Sequence, residues 1–220
     1  MEQNEVQVKA LIFDLDGTLL NTLQDLADAG NMALTACGLP VHGTEAYRYF
    51  VGDGMETLMF RAAPQGTPSD VVSRLVAGMR EEYARNWDSK TAPYPGISTM
   101  LHKLHALGLP LCVLSNKPHE FTLLTVERFF PDIPFTYVQG SPAGGKAKPD
   151  PALAFKLAAD LGLAPANVLI VGDSSVDMDT ARAAGMPAAG ALWGFRTEEE
   201  LRKHGARFIL AEPDAIFSIL

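Results

Sequence analysis

Short apolar runs at residues 10–13, 109–114, 135–138, 168–171, 188–192 and 208–210 are bounded by turn-forming residues, which predicts buried strands. Between them the apolar period lengthens to that of a helix. Met100, Leu101, Leu104 and Leu107 mark a helix over 97–107 with Gly108 as its stop, and a second runs from Phe121 to Phe130. Asp150-Pro151 reads as an N-cap with proline at the first helical position, and Gly162 ends that helix. Further helices are predicted over 176–184, stopped by Gly185, and from the capping-box sequence Thr197-Glu198-Glu199-Glu200 to 204. A short terminal helix begins at Pro213. Continuously apolar strands that alternate with helices predict an α/β fold, a Rossmann-like, mostly parallel sheet with helices on both faces.

One block breaks the alternation. Leu23, Leu26, Ala27, Ala33, Leu34 and Cys37 recur at helical spacing up to Gly38, and a second helical patch opens at Thr44 and carries Tyr47 and Phe50. Val51-Gly52-Asp53-Gly54 interrupts it, residues 55–62 resume it, and Pro64-Gln65-Gly66-Thr67-Pro68 makes a loop before a longer helix over 69–87. No strand is expected here. The domain expectation is therefore a core of residues 1–19 and 93–220, with an all-helical module, 20–92, inserted after the first strand.

Composition narrows the class. The 220 residues are 47% hydrophobic, enough for a sizeable core, and the formal charge of −8 argues against general nucleic-acid affinity, which needs basic stripes. A local lysine, arginine or metal ion can still reverse the field in a cleft, so small anionic substrates stay open. The two cysteines, Cys37 and Cys112, form no C-x-x-C motif and read as core fillers in a reducing compartment. Residues 1–5 lack the basic and apolar regions of a secretory leader, and no apolar stretch reaches membrane-spanning length. The expectation is a soluble cytoplasmic protein, monomeric or homodimeric, with no nucleic-acid or membrane partner.

Polar punctuation follows the strands. The first ends in Asp14 and Asp16, then Gly17 and Thr18; the second in Ser115 and Asn116; a loop after the third holds Lys148-Pro149-Asp150-Pro151; the fourth ends in Gly172-Asp173, with Asp177 beyond. In open α/β sheets ligands bind just outside the carboxyl ends of the strands. Two acids that close repel one another, and a cation would relieve them; an acidic N-cap explains one carboxylate but not both. Oxygen-only ligation favours Mg²⁺ over zinc. Phosphoryl transfer fits these residue types. A carboxylate can attack phosphorus, Mg²⁺ held by Asp14 and Asp173 lets two anions approach, and Lys148 adds positive charge. Ser115 or Thr18 can donate a hydrogen bond to a phosphoryl oxygen, which leaves Asp16 for acid–base work on the leaving alkoxide and the attacking water.

These stretches resemble the motifs of the haloacid dehalogenase superfamily: Asp14-Leu15-Asp16-Gly17-Thr18, then Ser115, then Lys148 in Lys-Pro-Asp-Pro, then Gly-Asp-Ser-Ser-Val-Asp from Gly172. The resemblance covers essentially the whole chain. It implies Asp14 as nucleophile, Asp16 as acid and base, and a Mg²⁺ site built from Asp14, the backbone carbonyl of Asp16, and Asp173. Asp177 would support the metal's waters or Lys148; Lys146 lies near, but only Lys148 precedes proline as in the family. Ser115, Thr18 and Asn116 would surround the phosphate. The helical insert resembles the family's small cap, and Gly52, Asp53 and Gly54 its substrate-facing loop, although turn chemistry alone equally suits a plain inter-helix turn.

The superfamily's dehalogenases lack the second acid, whereas Asp16 is present; its phosphonate-cleaving members need a cap lysine, whereas residues 20–92 hold only Lys90, at the trailing edge. Within the family the Val-Gly-Asp-Gly loop and Leu192-Trp193-Gly194-Phe195-Arg196 resemble the phosphoglycolate phosphatases most. One departure is Asn21-Thr22, where family members often carry Asp-Ser or Asp-Thr. Arg48, Arg61 and Arg196 could receive a substrate carboxylate or serve in surface ion pairs. The expectation is a Mg²⁺-dependent phosphomonoesterase for a small phosphorylated metabolite. The alternatives are a β-phosphoglucomutase-like isomerase, a pyrophosphatase, a sugar-phosphate or nucleotide phosphatase, and, outside enzymes, a receiver-like protein that stores phosphate on aspartate.

Overall fold

The structure is a computed structural model that describes residues 7–220; residues 1–5, whose composition bore on a leader, lie outside it. Strand β1 (Ala10–Phe13) opens the chain. The inserted segment follows with β2 (Leu20–Asn21), α1 (Leu23–Ala36), α2 (Thr44–Phe50), α3 (Gly54–Ala62), α4 (Ser69–Asn86) and β3 (Ala92–Pro93). The alternation then resumes: α5 (Ile97–Ala106), β4 (Leu111–Pro118), α6 (His119–Phe129), β5 (Tyr137–Ser141), α7 (Ala152–Asp160), β6 (Val168–Gly172), α8 (Ser175–Ala184), β7 (Ala188–Ala191), α9 (Glu198–Lys203) and β8 (Phe208–Leu210). The chain divides into two compact units, Leu20–Ala92 and the remainder.

The larger unit is built on a sheet in the order β5-β4-β1-β6-β7-β8, and each described pairing is parallel. β1 sits at its centre, with Leu11 level with Leu111 on one side and Leu169 on the other. The chain builds outward through β4 and β5, then crosses β1 to build through β6, so a topological switch point falls at β1. Alternation divides the strand residues between two faces. Ala10, Ile12, Cys112, Val168 and Ile170 pack with Ala154, Leu157, Met178 and Ala181 of α7 and α8. Leu11, Phe13, Val113 and Val171 are equally buried and, by the strand period, face the other side. This double burial explains why the strands are apolar throughout.

The structure departs from the sequence pattern at four places. β4 runs past 114 to Pro118, because Ser115, Asn116 and Lys117 are buried despite their polarity. β5 starts at Tyr137 rather than 135: Phe135 closes a turn onto the Ile133 carbonyl (2.9 Å) and sets its ring edge-on to Phe130. The terminal segment Pro213–Ile219 is a 3₁₀ helix. Within 20–92, where no strand was expected, β2 and β3 pair as a short ribbon.

The inserted unit has its own core. α1 packs on α4 and α2, and α3 on α4 and α2, around fully buried Tyr47, Met59, Leu75, Met79 and Tyr83. No helix among the described residues is long and apolar enough to cross a membrane. The Tyr47 hydroxyl donates to Asn31 Oδ1 at 2.9 Å, and its ring lies against Gly30 of α1 so closely that a Cβ there would meet Oη at 2.6 Å. Alanine is a better helix former than glycine by up to about 1 kcal/mol, but overpacking costs about 1–3 kcal/mol. Gly30→Ala is therefore expected to destabilise the chain in urea or thermal unfolding; unchanged or raised stability would show that Tyr47 yields freely.

Candidate active site

The carboxyl ends of β1, β4 and β6 meet at the switch point, and the side chains there are buried and charged. Asp14 is anchored by its own N–H, which donates to the Val171 carbonyl at 2.9 Å, and its Oδ1 accepts from the Leu15 N–H at 2.7 Å. Lys148 Nζ lies 2.9 Å from Asp14 Oδ1 and 2.6 Å from Asp177 Oδ1. The other Asp177 oxygen accepts from the N–H and hydroxyl of Ser174, closing a capping box at the start of α8. Asp173 Oδ1 accepts from the Thr18 hydroxyl at 2.9 Å and Oδ2 from the Phe195 N–H at 2.8 Å.

The electrostatics follow from this crowding. Asp14, Asp173 and Asp177 each place a carboxylate oxygen within 4.8 Å of the other two, all of them buried. Burial raises the Asp14 pKa to about 7; Lys148 opposes the rise, and the negative charge of Asp177 adds to it. Burial likewise raises Asp173 to about 8, reinforced by the charges of Asp177 and Asp14. Burial alone would lower the Lys148 pKa, but Asp14 and Asp177 outweigh it and hold the ammonium above its ordinary value. Asp14 and Asp177 thus share one buried ammonium while Asp173 has only neutral donors, and a divalent cation suits this oxygen-only set. Each of the three could offer it a carboxylate oxygen, and Asp177 is the one held most closely by Lys148, at 2.6 Å.

Close backbone approach makes the cluster possible. A Cβ on Gly17, whose φ is +90°, would meet Asp173 Oδ1 at 2.8 Å, and one on Gly194 would meet the Gly17 carbonyl at 2.5 Å. The loop after β7 therefore seats itself on the first motif. The Trp193 indole N–H also donates to the Thr18 carbonyl at 2.8 Å. The Leu-Trp-Gly-Phe stretch, picked out earlier only as a resemblance, orients Asp173.

Asp14, Asp16, Thr18, Ser115, Asn116, Lys148, Asp173 and Asp177 all lie in the larger unit, whereas Gly52, Asp53 and Gly54 lie in the inserted one. Two expected phosphate ligands are engaged otherwise. The Thr18 hydroxyl bonds Asp173, and the Asn116 amide both donates to the Lys148 carbonyl and accepts its N–H, at 2.9 and 2.8 Å, pinning the lysine loop. Ser115 Oγ accepts from the Lys117 N–H at 3.3 Å. Asp53 pairs with Arg61 at 2.6 Å, Arg48 with Glu45 and Arg196 with Glu200, so each arginine considered for a substrate carboxylate has an acidic neighbour. One residue was missed: Lys117 Nζ lies 2.9 and 3.2 Å from the two Asp16 oxygens. The apolar pattern ends at 114, and the continuation of β4 beyond it buries Lys117.

Comparison with known proteins agrees with this arrangement. The family described as "Haloacid dehalogenase-like hydrolase" matches residues 11–191. A phosphoglycolate phosphatase of Salmonella paratyphi A is 31% identical, over 97% of this chain and 90% of that protein. That of Escherichia coli K12 is also 31% identical, over 96% and 88%. Among solved structures, a predicted phosphoglycolate phosphatase from Haemophilus somnus superposes with a TM-score of 0.89 at 30% identity, over 97% of this chain and 98% of that one.

A carboxyl whose pKa is higher in the folded chain than in the unfolded one loses stabilisation as pH rises from its unfolded value to its folded one. For Asp14 and Asp173 that window runs from 3.8 to about 7 and 8. Without metal, the melting temperature is expected to fall by several degrees between about pH 5 and 8, and Mg²⁺ to restore it at the upper end with little effect at the lower. Asp173→Asn should remove the Mg²⁺-dependent part. A Mg²⁺ effect equal at both pH values, or unchanged in the variant, would refute the site.

Proposed function

The chain belongs to the haloacid dehalogenase-like hydrolase family, and from that premise we propose that it is a Mg²⁺-dependent phosphomonoesterase acting on a small phosphorylated metabolite, phosphoglycolate first, through an aspartyl-phosphate. The observation that carries this reading is the buried cluster of Asp14, Asp173 and Asp177, with Lys148 bridging Asp14 and Asp177, set where the sheet order reverses. The relatives named phosphoglycolate phosphatase favour that substrate within the class. Asp16 favours ester hydrolysis over dehalogenation, because a leaving alkoxide needs a proton and a leaving halide does not.

In this mechanism an Asp14 oxygen attacks phosphorus as the ester P–O bond breaks. The carboxyl of Asp16 gives its proton to the departing alkoxide. Water then attacks the aspartyl-phosphate, Asp16 takes a proton from it, and inorganic phosphate leaves with Asp14 restored. Lys148 stays protonated throughout and balances charge on Asp14 and the transferring group. Asp14, the Asp16 carbonyl and Asp173 would hold Mg²⁺, which supplies Lewis-acid neutralisation between nucleophile and phosphate. Asp177 holds Lys148 in place. The inserted helical unit would serve as the family's cap and exclude competing water. The enzyme works in the cytoplasm.

The test is phosphate release from a panel of metabolite monophosphates that includes phosphoglycolate, with Mg²⁺ and with EDTA. Release with Mg²⁺ alone supports the reading; isomer interconversion without release rejects it. Asp14→Asn is expected to lower turnover at least about 10³-fold with the fold intact. Asp16→Asn should cost about 10²–10⁴-fold and leave a trapped aspartyl-phosphate visible by intact-protein mass. Retained activity in the first variant would overturn the nucleophile assignment.

A further inference from the structure

Asp14 has its lysine in Lys148; Asp16 has a separate one. We propose that Lys117 is a positioning residue that fixes the Asp16 carboxyl for proton transfer, an inference that rests on the phosphomonoesterase reading above. Both Asp16 oxygens accept from Lys117 Nζ, at 2.9 and 3.2 Å, so the pair fixes the plane of the carboxylate as well as its distance. The lysine side chain is 2% exposed and the aspartate 13%, which leaves Asp16 as the member of the pair open to a reacting group.

Lys117 is itself held. It lies on β4 where the register against β5 shifts between Leu114 and Pro118. Its N–H donates to Ser115 Oγ at 3.3 Å, and its carbonyl accepts from the Thr122 hydroxyl at 3.2 Å. β5 closes on this corner so tightly that a Cβ on Gly140 would meet the Lys117 carbonyl at 2.8 Å. Asp16 lies only two residues from Asp14, whose surroundings already carry excess negative charge. Without Lys117, its carboxylate could turn to compete for Lys148; with Lys117 in place, the two acids are held by two different cations. The pair offers little net stability, because the cost of desolvating a buried ion pair largely cancels its attraction. Its consequence lies in where Asp16 is held.

The test compares kcat/KM for two esters in the Mg²⁺-loaded enzyme, an alkyl phosphate with a poor leaving group and an aryl phosphate with a good one. The alkyl ester needs the Asp16 proton; the aryl oxide departs without it. Lys117→Met is expected to lower kcat/KM about 10²-fold for the alkyl ester and less than about tenfold for the aryl ester, in line with general acid catalysis. In an Asp16→Asn background the same substitution should add less than about threefold, because residues that act as a unit are non-additive. If Lys117→Met fails to fold, Lys117→Gln, which keeps one neutral donor for Asp16, should show the same dependence on leaving group with a smaller loss on the alkyl ester. Equal losses on both esters, or a full further loss in the double variant, would overturn the positioning role. A wild-type enzyme inactive on both esters would instead sink the phosphomonoesterase reading itself.

Discussion

Placing Asp14, Asp173 and Asp177 out of water beside one another, with a single ammonium between Asp14 and Asp177, is the constraint from which much of the larger unit follows. A buried unpaired carboxylate is costly, and three of them close together more so. Each oxygen therefore needs a donor. Those donors come from several separate stretches of chain: Lys148 from the loop before α7, Ser174 from the start of α8, Thr18 from beyond β1, and Phe195 from beyond β7. Only a parallel sheet whose carboxyl ends share one edge brings so many separate segments to one point. The glycines at 17 and 194 follow from the same demand, since a side chain at either would push the carboxylates' neighbours apart.

The cluster is under-neutralised even so. The raised pKa values of Asp14 and Asp173 express free energy held in unfavourable charge burial. The apolar strands on either side offset it: β1, β4 and β6 are buried on both faces, and β1 takes a neighbour along each edge. Rigidity there lets a strained electrostatic arrangement persist. Asp16 stands outside this arrangement. Its carboxylate pairs with Lys117, so under the proposed mechanism the nucleophile and the proton carrier are held by different lysines, one in the loop before α7 and one on β4.

Which parts were legible in the sequence depended on how local their cause is. β1 and β6 read clearly because four or five consecutive apolar residues stop abruptly at Asp14 and at Gly172-Asp173. β5 read poorly because Phe135 is as apolar as a strand residue but turns to meet Phe130. Asp14, Lys148, Asp173 and Asp177 could be named from strand ends and motif order. The engagement of Thr18 with Asp173, and of Asn116 with the backbone of Lys148, could not, because each bond spans tens of residues or more. The sequence shows the hydroxyl and the amide but not the long-range partners they meet.

The sequence alone pointed to the family: two acids separated by one residue at a strand end, a lysine before proline, and a second acidic strand end follow the motif order of the haloacid dehalogenase-like hydrolases. It also determined the alternation of strand and helix, since hydrophobic period is a local property. Tertiary structure alone decided the pairing of charges. Lys117 became the partner of Asp16 because β4 continues past its apolar stretch and buries a lysine beside β1, a contact between residues 101 positions apart. Side-chain pairing at that separation depends on strand order and register, which no local pattern encodes.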